Sequence, residues 1–115
     1  VMNIELYEEL KNIARKKKLT YYSLIAPMLG LNMETETDRN EIARLLGQIA
    51  IYEQENGRPM LTSLVIHKGN DNNPGEGFYS IASELGIYNG SRNNLDRITF
   101  WVSQVSLVHD YWKNA

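Results

Sequence analysis

The chain has 115 residues, 43% hydrophobic and 23% charged, the size and balance of one packed domain. Its formal net charge of -2 excludes the broad basic coat of a protein that wraps nucleic acid, although twelve Lys and Arg can still gather locally. The absence of cysteine excludes disulfides, thiolate nucleophiles and cysteine-based zinc sites, and leans towards a reducing compartment. No apolar run approaches a bilayer span, and Glu5 stands where a signal peptide would be basic and then apolar, so a cytoplasmic location is expected.

A first helix is expected from Asn3, with Leu6, Tyr7, Leu10, Ile13 and Ala14 at helical spacing. It closes in Arg15-Lys16-Lys17-Lys18, where cations complement the helix dipole. Thr20 reads as the cap of a second, short helix, shortened or kinked by Pro27 and stopped by Gly30. After a polar connection over Asn32 to Thr37, Thr37 or Asp38 caps a third helix. Ile42, Leu45, Leu46 and Ile49 share one of its faces, and Gly57 with Pro59 ends it.

Met60 to His67 is the one stretch that reads as a strand. Lys68 to Gly77 reads as a loop, Phe78 to Leu85 as a short helix, and Asn89 to Asn94 as a second loop. The last helix places Ile98, Trp101, Val102, Val105, Val108 and Trp112 on its inner stripe. A strand needs a partner, here either the stretch around Gly77-Phe78-Tyr79 or the segment before Tyr21. The expectation is a single domain over residues 1–115. It is mainly α with a small β component and winged-helix-like: three helices, a short strand or hairpin, and two C-terminal helices.

Tyr22-Ser23-Leu24-Ile25-Ala26-Pro27-Met28-Leu29-Gly30 resembles the opening of the helix-turn-helix in alkylguanine-DNA alkyltransferases. Ala43-Arg44-Leu45-Leu46-Gly47 is similar to their recognition helix, Arg58-Pro59-Met60-Leu61 to the approach to their active-site strand, and Gly75-Glu76-Gly77-Phe78 to the glycine-rich turn that follows. The likeness covers roughly the middle half of the chain. It implies a winged-helix scaffold like that of the alkyltransferase-like proteins, which bind DNA without repairing it. Alkyl transfer itself is excluded, because no residue can supply the thiol. Gly57-Arg58-Pro59 before the strand also resembles a signature of an uncharacterised bacterial family, which implies no function.

The resemblance places Tyr22, Ser23 and Arg44 at a DNA surface. Arg39, Asn40, Arg44 and Gln48 lie off the apolar stripe of the third helix, and such side chains read guanine and adenine edges. Lys68 in the following loop would add a phosphate contact. The plainer alternative is a solvated helix face, since Glu41 and Glu55 share the helix. The Arg15-Lys18 run could clamp phosphate, but its place at a helix end explains it without a partner.

Glu53, His67 and Glu76 are the candidates for acid-base or metal chemistry, at spacings unlike any compact motif. Ser63 and Ser80 have no glycine-flanked elbow, so no enzyme activity, cofactor or metal is expected. Arg58 reads as a partner that pins Glu53, or else as a small anion site. Phe100, Trp101, Tyr111 and Trp112 exceed what one face of the last helix can hide. They make the rival reading a homodimer or protein-binding module.

Overall fold

The computed structural model describes residues 2–69 and 73–114, so Asn70, Asp71 and Asn72 of the expected loop lie outside the described residues. Helices α1 (Ile4–Arg15), α2 (Tyr22–Met28), α3 (Glu36–Glu55), α4 (Glu76–Glu84) and α5 (Asn94–Trp112) accompany strands β1 (Thr20–Tyr21) and β2 (Val65–Ile66). The fold is mainly α with a small β component.

Local chemistry sets the helix ends. The Asn3 carboxamide oxygen accepts the Leu6 N–H at 2.8 Å and starts α1, which buries Leu6, Tyr7, Leu10 and Ala14. Lys17, at φ 56°, turns the chain out of α1 through the left-handed region. Arg15 to Lys18 are exposed there, at the negative end of the dipole. The cap of α3 is Thr35, whose hydroxyl accepts the Asp38 N–H at 3.3 Å, rather than Thr37 or Asp38. Asp38 is used differently: its carboxylate accepts the Asn32 N–H at 2.9 Å and closes the connection. The inner face of α3 is the expected one, with Ile42, Leu45, Leu46 and Ile49 buried.

The stretch from Met60 to His67 departs from its expectation. Leu61–Leu64 forms a 3-10 turn, and only Val65–Ile66 is strand. Every residue from Met60 to Ile66 is buried, and a continuous buried run lacks the alternation that identifies a strand. β2 pairs with the segment at Thr20, in parallel, with Thr20 beside Val65 and Tyr21 beside Ile66. The alternative partner, Gly77-Phe78-Tyr79, is helical instead. Parallel pairing requires a long crossover, which α2 and α3 supply. Consequently no hairpin forms among the described residues, and the expected wing is replaced by this crossover.

Two buried clusters share α5. The larger joins α1, α2, α3, the 3-10 turn and the end of α5 around Leu10, Ile49, Leu64 and Val108. The smaller gathers Ala50, Met60, Phe78, Tyr79, Ala82 and Tyr88, with Phe100 and Trp101 against it. The inward face of α5 carries Trp101, Val105, Val108 and Trp112 of the expected stripe, with the polar Gln104 buried among them. Ile98 and Val102 face outward at 55% and 52% exposure. Hydrogen bonding sets this rotation. The Gln104 side chain accepts the buried Met60 N–H at 3.0 Å, and the Trp101 indole N–H donates to the Ser63 carbonyl at 2.8 Å. These bonds satisfy backbone groups around a 3-10 turn too short to satisfy them itself. Among the described residues no helix is long and apolar enough to cross a membrane.

Candidate functional site

The outward side of α3 is one wall of a cleft of about 360 Å³. Arg39, Ala43 and Gly47 lie along that wall. Pro74 to Phe78 and the first turns of α4 form the opposite one, and Thr62 also lines the cleft. Tyr22 and His67 close one end as a stacked pair, with ring centroids 4.3 Å apart and planes inclined by 22°.

Each part of this end is held locally. The Tyr22 hydroxyl donates to the Pro74 carbonyl at 2.9 Å, and burial pushes its pKa up to about 12. The backbone N–H of His67 donates to the Asn73 carbonyl at 2.8 Å. Gly75 sits at φ +87°, and a Cβ there would stand 2.8 Å from His67 Nε2, so the segment passes the imidazole closely because it has no side chain. Partial burial lowers the His67 pKa below its ordinary 6.5, which leaves the ring neutral at pH 7. Glu76, at the rim, is held in a two-bond fork by Arg97 at 2.7 and 2.9 Å. That hydrogen bonding holds its carboxyl below the usual range.

The predicted DNA contacts divide into two groups. Tyr22 and Arg39 line the cleft, and Arg39 Nη1 donates to the Met33 carbonyl at 2.9 Å. Ser23, Asn40 and Arg44 are exposed beyond it, and Gln48 is half-buried. Arg44 is engaged with Glu41 through bonds of 2.8 and 2.6 Å, which raise its pKa and lower that of Glu41. Lys68, exposed past β2, has its ammonium 5.9 Å from the Tyr21 ring centroid.

The acid-base candidates do not meet. His67 and Glu76 line the cleft, whereas Glu53 is fully buried elsewhere. Its carboxylate accepts three bonds from Arg58, at 2.9 to 3.1 Å, and one from the Tyr7 hydroxyl at 2.8 Å. Arg58 therefore pins the end of α3 as a structural partner. Among the described residues no three His, Asp or Glu side chains are grouped to hold a metal ion.

The aromatic surplus on α5 is smaller than expected. Phe100 packs on Tyr88 at 4.7 Å, Trp101 bonds to Ser63, and Trp112 is 7% exposed, which leaves Tyr111 outside. The exposed apolar residues at the start and middle of α5 are aliphatic: Leu95, Ile98 and Val102. Sequence reasoning also missed Gly47, Thr62 and Pro74 as cleft residues. Gly47 carried the one available signal, a glycine inside a helix that it neither caps nor ends.

No family model, curated protein or solved structure matches the chain.

Proposed function

We propose that this domain binds duplex DNA without catalysing a reaction, through the outward side of α3 and the adjoining rim of the cleft. The observation that carries the reading is that Arg39, Asn40 and Arg44 stand exposed on the outward side of α3, beside a cleft that Tyr22 and Arg39 line. Arg39, Asn40, Arg44 and Gln48 offer the donors and acceptors that suit base edges and phosphates. Tyr22 and Ser23 open α2, Tyr22 lines the same cleft as Arg39, and Lys68 lies past β2. The Arg44–Glu41 pair is exposed, so the guanidinium can exchange its carboxylate for a phosphate at small cost.

Fluorescence anisotropy of labelled duplex DNA across a salt series tests this. Binding should weaken steeply with salt, and Arg44→Ala should reduce both affinity and salt slope while circular dichroism stays unchanged. No binding at low salt would sink the proposal.

A second reading rests on α5. Leu95, Ile98 and Val102 are 72%, 55% and 52% exposed and stand at helical spacing on an outer face. That favours a protein-binding or self-associating surface with no nucleic-acid role. A mass that rises with concentration in sedimentation equilibrium, and falls back in Val102→Lys, would favour it.

A further inference from the structure

Gly47 lies in the middle of α3, eight residues before its end, where glycine costs about 1 kcal/mol relative to alanine. Packing does not require it there. A Cβ built on Gly47 meets nothing within 4 Å, and the neighbouring wall residue, Ala43, is itself small. Gly47 lines the cleft, and a larger side chain there would extend into open space beside it. Thr62 also lines the cleft, but its hydroxyl is sealed beneath the lining, out of reach of an occupant.

The remaining lining narrows the occupant. The Tyr22–His67 pair gives the cleft a flat, π-rich end, and Leu46, Phe78 and Ile81 make it predominantly apolar. His67 is neutral at pH 7 and offers one ring nitrogen as donor and the other as acceptor. The charges at the cleft balance, Arg39 against Glu84 and Arg97 against Glu76, which favours an uncharged ring. A volume near 360 Å³ is at the small end of ligand pockets, about 300–1,000 Å³, and suits a single ring system.

We infer that the cleft between α3 and α4 is a binding site for a free, uncharged, flat aromatic molecule that bears a hydrogen-bonding edge, such as a ring carboxamide. The ring packs against Tyr22 and the α3 wall, and its polar edge meets the donor and acceptor nitrogens of the His67 imidazole. This site stands independently of DNA binding, and because α3 also forms the proposed DNA surface, occupancy would bear on that surface.

The test is a ¹⁵N–¹H correlation titration of the whole chain with nicotinamide, with nicotinate as the charged ring and cyclohexanecarboxamide as the non-flat control. Nicotinamide should give saturable shifts at the amides of Gly47, Gly75 and Gly77, and each control should bind about tenfold more weakly, a loss of roughly 1.4 kcal/mol. Gly47→Leu, whose side chain projects into open cleft, should abolish these shifts and leave the rest of the spectrum in place. His67→Phe, which keeps a ring against Tyr22 and removes both ring nitrogens, should weaken binding by about tenfold, the worth of roughly one hydrogen bond. No saturable shift, shifts centred elsewhere, or wild-type binding by Gly47→Leu would each overturn the assignment. So would silence with the free ring combined with the same shifts from a duplex carrying an unpaired base, which would assign the cleft to DNA. The titration contains no DNA in its first arm, so a failure of the DNA proposal leaves its outcome readable.

Discussion

The Glu53 side chain has zero exposure, and four hydrogen bonds satisfy it there: three from Arg58 and one from Tyr7. Taking away one partner of such a pair strands the other, which costs about 3–5 kcal/mol. Arg58→Met should therefore destabilise the domain by about that amount in urea unfolding. Tyr7→Phe, which removes one charge-assisted bond, should cost about 1.5–3 kcal/mol. Equal effects of the two variants would count against Arg58 as the main partner. His67 sets a pH dependence. Its folded pKa is depressed by burial from 6.5, so its contribution is full above that value and is lost as pH falls, because the unfolded chain takes up the proton first. The carboxyls of Glu41, Glu76 and Asp110, also depressed, lose their contributions at lower pH, below about 4.5. His67→Phe keeps a ring against Tyr22 and removes the titration. The stability lost between about pH 7.5 and pH 5 should shrink in that variant, and an unchanged loss would show that other groups produce it.

At the scale of elements, the rotation of α5 decides which of its residues matter. Gln104→Ala leaves the Met60 N–H buried and unpaired, and should cost about 1–3 kcal/mol. Ile98→Ser, on the outer face, should change stability by no more than about 0.5 kcal/mol. Hydropathy alone orders the two variants the other way, so thermal unfolding of the pair separates the structural reading from the periodic one. The same contrast explains what the sequence made legible. The caps at Asn3 and the apolar spacing of α1 and α3 are local signals, and those helices and their buried faces were readable. In α5 the inward turn of Trp101, Val105, Val108 and Trp112 was readable too, but Ile98 and Val102 lie outward, and the polar Gln104 turns inward to bond Met60, 44 positions away. Met60 to Ile66 is buried on every side, so nothing in its pattern separated a 3-10 turn from a strand. For the candidate site, Tyr22 and Arg39 were marked in advance, one by resemblance and one by its place off the apolar stripe. Thr62 and Pro74 were not, because their part in the cleft exists only once α4 packs beside α3.

At the scale of the molecule, the cleft lies on the seam between the two buried clusters. Leu46, on one wall, belongs to the larger cluster, and Phe78, on the other, belongs to the smaller. α5 spans both: Trp112 is buried in the larger cluster and Trp101 rests against the smaller. One helix of 19 residues thus ties together two cores that meet across a hollow. Cooperative unfolding of a chain this size is expected when such a tie is strong. The protein contains two tryptophans, so each can be made the sole fluorophore. In Trp112→Phe the remaining Trp101 reports on the smaller cluster, and in Trp101→Phe the remaining Trp112 reports on the larger. Within each variant, fluorescence and far-ultraviolet ellipticity should give the same urea midpoint, because the clusters lose structure together. If Trp101 fluorescence changes at lower urea than ellipticity, the smaller cluster opens first and α4 swings away from α3 before the rest unfolds. The cleft would then be the hinge of a partial opening, and a ring bound across the seam should move the Trp101 transition towards the ellipticity midpoint.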